Sequence, residues 1–322
     1  MNKKLIAAAI AAAVAAPVAS AADTTLYGKA HVSIQSNDNG ANDNYTVNSN
    51  ASRIGIKGSE DLGDGLKAIF KYEMGYDISD GGSKGPISAR NAYVGLSGSW
   101  GTFLAGRHDT PAKVAFYASG TDFLGDSVID MNKIGFTEVR ADNAVAYISP
   151  NMVGFTVAAA VVPGESSSNS TANNLADAYS LAAIYGGGGL KVGIGYEVFT
   201  DDLNGGGTKK DQTMLQVGAS YTLGDFTVGA NYEDKSDIGG VAGNDHTVWG
   251  LAGKADLGNN FVVVNYGEKD PSGPAGTTKR FGVGVGHKFS KRTQVYAAYA
   301  NQNNPAAAPD TSNFALGMIH TF

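Results

Sequence analysis

The chain has 322 residues, of which 24 are basic and 30 acidic, an acid excess that argues against a nucleic-acid partner. It has no cysteine, which rules out disulfides, thiol chemistry and cysteine-ligated metals. Its 44 glycines follow no collagen triplet and stand among 9% aromatic residues, so neither a triple helix nor low-complexity disorder fits.

The first element is a processing segment. Lys3 and Lys4 open it, residues 5–16 are apolar, and Ala19-Ser20-Ala21 offers the small-x-small pattern that a signal peptidase accepts. Residues 1–21 therefore read as a signal peptide, cut after Ala21 or, as second choice, after Ala22. Without Lys3 and Lys4 the balance is 22 basic against 30 acidic, a charge of about −8 for the mature domain, 22–322. No later run approaches the roughly 18–20 apolar residues of a membrane helix. Two readings stay open here: a secreted water-soluble protein, or a barrel whose membrane signal is hidden in alternation.

Beyond residue 22 the dominant signal is a period of two, which sends successive side chains to opposite faces of a sheet. In the first segment Leu26, Gly28, Ala30, Val32 and Ile34 share one face, and Tyr27, Lys29, His31, Ser33 and Gln35 share the other. The pattern recurs at 66–73, 190–198, 226–233 and 280–285. The separators alternate in length. Short ones fall at 60–64, 98–100, 150–153, 186–189, 223–224, 257–259 and 290–292. Longer polar ones fall at 36–49, 75–87, 108–141, 163–176, 200–210, 236–244, 269–278 and 303–310. Seven short turns and eight long loops separate sixteen strands. An even antiparallel count, with turns at one end and loops at the other, is the pattern of an outer-membrane β-barrel. A closed barrel also leaves no unpaired edge, which suits an exported chain without disulfides.

The third long separator is the exceptional one. Thr110-Pro111 predicts a capped helical turn through Ala115. Asp122, Asp126 and Asp130 follow, interleaved with Phe123, Leu124, Val128, Ile129 and Met131. A structureless loop of this length is uncommon unless functional, and its apolar content predicts that it packs on something. At the chain's end Phe314, Leu316, Met318, His320 and Phe322 share a face. The terminal Phe322 predicts an aromatic anchor at the periplasmic interface and part of the assembly signal.

Recognisable catalytic and metal chemistry is absent from the pattern. His31, His108, His246, His287 and His320 are scattered, none at metal-ligand spacing, and read as solvated or interfacial, so no metal and no cofactor is expected. Gly282-x-Gly284-x-Gly286 lacks the spacing of a dinucleotide loop and reads as freeing lumen volume or curving the sheet. Asp38 sits in a polar stretch without the acidic ladder of a calcium loop. A barrel hydrolase would need a nucleophile, base and orienting residue, and no spacing marks such a set. A barrel adhesin would need distinctive loops, and only the third stands out. The chain is therefore read as a non-enzyme.

Parity assigns the basic residues. Arg53 and Lys57 oppose Ile54 and Ile56, Lys67 and Lys71 oppose Leu66, Ala68, Phe70 and Tyr72, and Arg140 opposes Val145 and Tyr147. These point to the lumen. Arg90 shares parity with Val94 and Leu96 and reaches the lumen only if a bulge intervenes.

Ser52-Arg53-Ile54-Gly55-Ile56-Lys57-Gly58-Ser59-Glu60-Asp61-Leu62-Gly63-Asp64-Gly65-Leu66-Lys67-Ala68 closely resembles the second-to-third strand hairpin of Gram-negative general porins. Tyr93-Val94-Gly95-Leu96, then Trp100-Gly101 and Gly106-Arg107 with Pro111, resembles their next hairpin. Ala144-Val145-Ala146-Tyr147-Ile148-Ser149-Pro150-Asn151 with Gly154-Phe155 is similar to their sixth and seventh strands, and Leu26-Tyr27-Gly28 and Phe322 fit the two ends. The resemblance covers the mature chain. It implies a sixteen-stranded barrel, a homotrimer in the outer membrane, and a third loop folded into each pore. It also implies passive passage of ions and small hydrophilic solutes, with basic constriction residues at Arg53, Arg90 and Arg140. The resulting expectation sets those arginines on the wall against Asp122, Asp126 and Asp130 on the inserted loop, with Lys57, Lys67 and Lys71 further along the wall. Opposed charges that partly cancel predict weak selectivity, leaning to anions.

Overall fold

The computed structural model describes residues 23–80, 87–166, 172–305 and 308–322; the expected signal peptide, 1–21, lies outside them. In chain order the elements are β1 (Asp23–Asp38), β2 (Asp43–Ser49), β3 (Arg53–Gly63), β4 (Leu66–Tyr76), β5 (Ile87–Gly98) and β6 (Gly101–Asp109). Helix α1 (Pro111–Ala118) and a 3-10 turn (Met131–Ile134) follow. Then come β7 (Arg140–Ile148), β8 (Phe155–Val162), β9 (Ala178–Gly187), β10 (Leu190–Phe199) and β11 (Gln212–Leu223). The last are β12 (Phe226–Ser236), β13 (His246–Leu257), β14 (Asn260–Pro271), β15 (Thr278–Lys288), β16 (Thr293–Asn303) and β17 (Thr311–Thr321).

Every strand pairs antiparallel with its neighbours, and β1 closes the ring against β17, from Lys29↔Thr321 to Asp38↔Ser312. On its other edge β1 pairs with β2 along its upper half and β3 along its lower half. Those two segments are one interrupted stave, so the seventeen strands form a closed sixteen-stranded barrel. The interruption falls at 50–52, where Ala51 takes a left-handed φ of 52°. The backbone groups it frees find substitutes: Ser52 Oγ accepts from His31 N at 2.9 Å and donates to His31 O at 3.1 Å. Arg53 starts the lower half.

The barrel, its turns and most of its loops fall where the alternation puts them. The correction is the first loop. Residues 43–49 are strand, not loop, and only 39–42 join β1 to β2. Asp43-Asn44-Tyr45-Thr46-Val47-Asn48-Ser49 is polar enough to read as loop, yet a stave that rises above the bilayer needs no apolar face. At the other end the hairpins are tight. Gly188 and Gly189, at φ 59° and 85°, make the two-residue turn that the twist of β9 and β10 favours.

The outward face carries the apolar residues. Leu26, Ile34, Val94, Leu96, Val228, Val285 and Leu316 are all exposed. Aromatics flank this band at two heights. Near the turns stand Trp100 stacked on Tyr147 and Phe155 against Tyr185, with Phe226 and Phe289 also exposed. Toward the loops, Tyr232↔Trp249, Tyr266↔Phe281 and Tyr299↔Phe314 are cross-strand pairs running round β12–β17. Two aromatic girdles bounding an apolar belt are the surface of a barrel in a bilayer. The core is inside the ring, where the third loop packs on the wall.

Candidate functional site

The third loop, 110–139, starts with a capped helix. Thr110 Oγ1 accepts from Lys113 N at 3.4 Å, and Pro111 occupies the first turn. The helix continues past the expected Ala115 to Ala118, because Ala112, Ala115 and Phe116 are buried against the wall. Ala112 N donates to Ser180 Oγ at 3.0 Å on β9. Further on, Leu124, Val128 and Ile129 join Phe261, Val263 and Tyr296 in one cluster, and Met131, Ile134 and Phe136 join Phe116 and Val248 in another. Polar anchors secure both ends. Ser119 Oγ donates to Asn231 Oδ1 at 3.2 Å, while Glu233 accepts from Thr137 N at 2.7 Å and Thr137 Oγ1 at 2.8 Å.

Glycines make this seat possible. A Cβ on Gly195 would lie 2.6 Å from Ala112 Cα, one on Gly250 2.7 Å from Met131 Cε, and one on Gly284 2.9 Å from Ile129 Cδ1. Gly282 and Gly284 thus yield lumen volume to Ile129. The loop lies along β9–β16 and leaves its opening on the far side.

Lys29, Arg53, Arg90 and Arg140 line that opening from the wall, and Asp122 and Asp126 line it from the loop. Asp126 is the bridge. Its carboxylate accepts from Lys29 Nζ at 2.7 Å and from Arg53 Nη2 at 3.4 Å. Arg90 reaches the lumen through a register shift between Tyr72 and Met74, where Tyr72 pairs with Ala92 and Met74 with Ala89. Its Nε then donates to Glu73 Oε1 at 2.7 Å, and Tyr27 OH donates to Glu73 Oε2 at 2.9 Å. Arg140 Nη2 pairs with Asp109 Oδ1 at 2.9 Å, and its Nε donates to Asn91 Oδ1 at 2.8 Å. Lys113 pairs with Asp109 at 3.1 Å and Glu138 at 3.3 Å.

Asp130 stands apart from the opening. It is 1% exposed and caps the 3-10 turn, its Oδ1 accepting from Asn132 N at 2.8 Å and Oδ2 from Asp126 N. It shapes the loop that carries Asp126. Of the three expected wall lysines, Lys57 and Lys71 sit over the Tyr27 ring, at 5.4 and 5.6 Å from its centroid, and Lys71 pairs with Glu73 at 3.3 Å. Lys67 is exposed on the same face near the turn. Sequence reasoning missed Lys29, Glu73, Asp109, Lys113 and Glu138. Parity was a usable signal for two of them, since Lys29 alternates with Tyr27 and His31, and Glu73 with Lys71. Two histidines read as solvated are buried: His31 Nε2 bonds Tyr296 OH at 2.8 Å, and His246 Nε2 bonds Glu233 at 3.1 Å.

The loop carboxyls differ in proton affinity. Burial, and then the neighbouring Asp130 charge, pushes Asp122 well above the usual carboxylate range. Burial also pushes Asp130 up to about 6, against the backbone N–H groups of Asn132 and Asp126. Burial acts the same way on Asp126, but Lys29 and Arg53 outweigh it and hold that carboxyl below its usual range.

A family model described as Gram-negative porin matches residues 7–307. The outer membrane porin protein 32 of Delftia acidovorans is 29% identical over 330 residues, covering 96% of this chain and 91% of the relative. Among solved structures, the anion-selective porin from Comamonas acidovorans superposes with a TM-score of 0.76 at 22% identity, over 94% of this chain and 100% of that one. The in-vitro folded, trimer form of OmpT, an outer membrane protein of Vibrio cholerae, gives 0.68 at 18% identity, over 94% and 100%.

Proposed function

Because the chain belongs to the Gram-negative porin family, it is an outer-membrane channel for passive diffusion of ions and small hydrophilic solutes, and we propose that the opening beside the third loop is its selectivity-setting constriction. The family match favours a channel over the barrel hydrolase and barrel adhesin weighed above. The observation that carries the constriction is Asp126 held between Lys29 and Arg53, which spans the gap from loop to wall. Around it six cations (Lys29, Arg53, Lys71, Arg90, Lys113, Arg140) face five carboxylates (Glu73, Asp109, Asp122, Asp126, Glu138). The near balance favours weak selectivity, and the cationic surplus, with Lys57 and Lys67 beyond it, sets its sign toward anions. Purified protein in a planar bilayer should give discrete conductance steps and an anion-side reversal potential in a salt gradient. A cation-side potential would reject this account of the constriction.

The working unit is a homotrimer in this proposal. The outward faces of β1 and β17 present Ala30, Val32, Leu316 and Met318 side by side, with Val32↔Met318 in register. The loop at 75–87 latches a neighbour; its residues 81–86 lie outside the described residues. A monomeric mass in mild detergent, supported by cross-linking, would remove the trimer. Residues 1–21 are the removed signal peptide, and the intact mass of the mature protein reads out the cut after Ala21.

A further inference from the structure

Above the opening, toward the long loops, lies a second cavity of about 370 Å³, bounded by the third loop and by β1, β2, β15 and β17. It has room for about a dozen waters at roughly 30 Å³ each. Asp126 lines both this cavity and the opening, so the two adjoin at that residue. Two cations line the cavity. Lys133, exposed on the 3-10 turn, has an ammonium with no hydrogen bond and no ion pair among the described residues. Arg280 of β15 is 7% exposed, with no carboxylate at ion-pair distance among the described residues. Its guanidinium donates to two neutral acceptors, Val128 O at 2.7 Å and Gln302 Oε1 at 2.9 Å, and part of its fork of donors stays unused. Asp130 acts on Arg280 only from beyond ion-pair distance, and Asp126 is already held by Lys29 and Arg53. The positive charge left over is that of Lys133.

The barrel wall of the cavity is rich in amides: Gln35, Asn48, Asn50 and Asn313. Each spends an amide nitrogen on a neighbour. Gln35 and Asn50 donate to Ser33 Oγ, both at 2.8 Å, Asn48 to Thr46 Oγ1 at 2.7 Å, and Asn313 to Asn37 Oδ1 at 2.8 Å. None of the four amide oxygens accepts a hydrogen bond among the described residues. We propose that this cavity binds a small polyhydroxy carboxylate, its carboxylate on Lys133 and Arg280 and its hydroxyls on the amide oxygens. Unpaired cationic donors select an oxyanion, and unengaged amide oxygens select hydroxyl donors. A plain carboxylate satisfies only the first set and a neutral polyol only the second. A single surplus charge suits a monoanion. The inference deepens the channel reading by naming a solute class, and rests on it for the route of entry, not for the binding itself.

Calorimetric titration of folded protein in detergent with sodium gluconate, at constant ionic strength, tests the proposal. Saturable binding is expected, at least tenfold tighter than that of sorbitol, which lacks the carboxylate, or of butyrate, which lacks the hydroxyls. Lys133→Gln should weaken gluconate at least fivefold, and so should Asn48→Val, which keeps both cations. Heat-modifiable mobility verifies that each variant is folded. In bilayers gluconate should lower the chloride conductance of wild type more than that of Lys133→Gln. The absence of saturable binding overturns the proposal, as does equal binding of gluconate by wild type and Lys133→Gln. Sorbitol or butyrate binding as tightly as gluconate overturns it as well. Binding lost in Arg53→Ser but kept in Lys133→Gln assigns the anion to the constriction and overturns it too. Lys133-dependent binding by a protein that forms no conducting channel would reject the channel reading and leave the site standing.

Discussion

At the scale of single residues, the opening is a set of paired charges rather than two opposed rows. Arg53 and Arg140 each pair with a carboxylate, Asp126 and Asp109, that a lysine also holds, so removing either arginine deletes a positive charge and leaves its carboxylate less neutralised. The double variant Arg53→Ser, Arg140→Ser should therefore move the reversal potential toward cations and change single-channel conductance. Unchanged values in that variant would remove both from the constriction. The proton affinities give a second prediction. Asp130 titrates at about 6 and Asp122 above its usual range, whereas Asp126 is held ionised. Lowering the pH from 8 to 5 should thus neutralise charge on the loop and strengthen anion preference, and Asp122→Asn with Asp130→Asn should flatten that response. The stability sign follows for Asp130. Its folded value lies above the ordinary 3.8, so its contribution is full below that pH and fades as pH rises through about 6. Heating at pH 5 and pH 7 should show Asp130→Asn gaining more, relative to wild type, at the higher pH.

Among elements, the third loop depends on what the wall omits. Gly195 admits the backbone of α1, and a larger residue there meets Ala112 Cα rather than a movable side-chain tip. Gly195→Leu should lift the helix toward the opening, at a cost of about 1–3 kcal/mol for overpacking, seen as lower conductance and a lower temperature of heat modification. Gly186→Ala, with nothing within 4 Å of the added atom, should change neither. This element also marks how far the sequence could be read. Strands other than β2 were legible because each has one apolar face, and the loop's packing because Leu124, Val128 and Ile129 are costly in water. Its direction was not legible, since it is set by glycines on strands far away in sequence. Asp130 was misleading for a related reason: a cap and a pore-lining acid look alike until the following turn is seen to start at Met131. The pairing of Arg90 with Glu73 was hidden because it depends on the bulge between Tyr72 and Met74.

For the molecule as a whole, the decisive contact joins its two ends. Phe322 N donates to Gly28 O at 3.1 Å and Gly28 N to Phe322 O at 3.0 Å, while the Phe322 ring lies against Gly28 and stacks with His320. Deleting Phe322 should lower the yield of heat-modifiable protein in outer membranes, and normal assembly of the truncated chain would show the residue dispensable. The same closure governs time as well as stability. β1 comes first of the barrel strands in chain order and its partner β17 sixteen strands later, so the ring cannot seal until both have been made. Until then two strand edges stay open to pairing with any other chain. Contacts between opposite ends of a chain are the slowest to form, because the loop-closure entropy must be met before they contribute. The unsealed chain, with two open strand edges, is consequently the species most prone to aggregate.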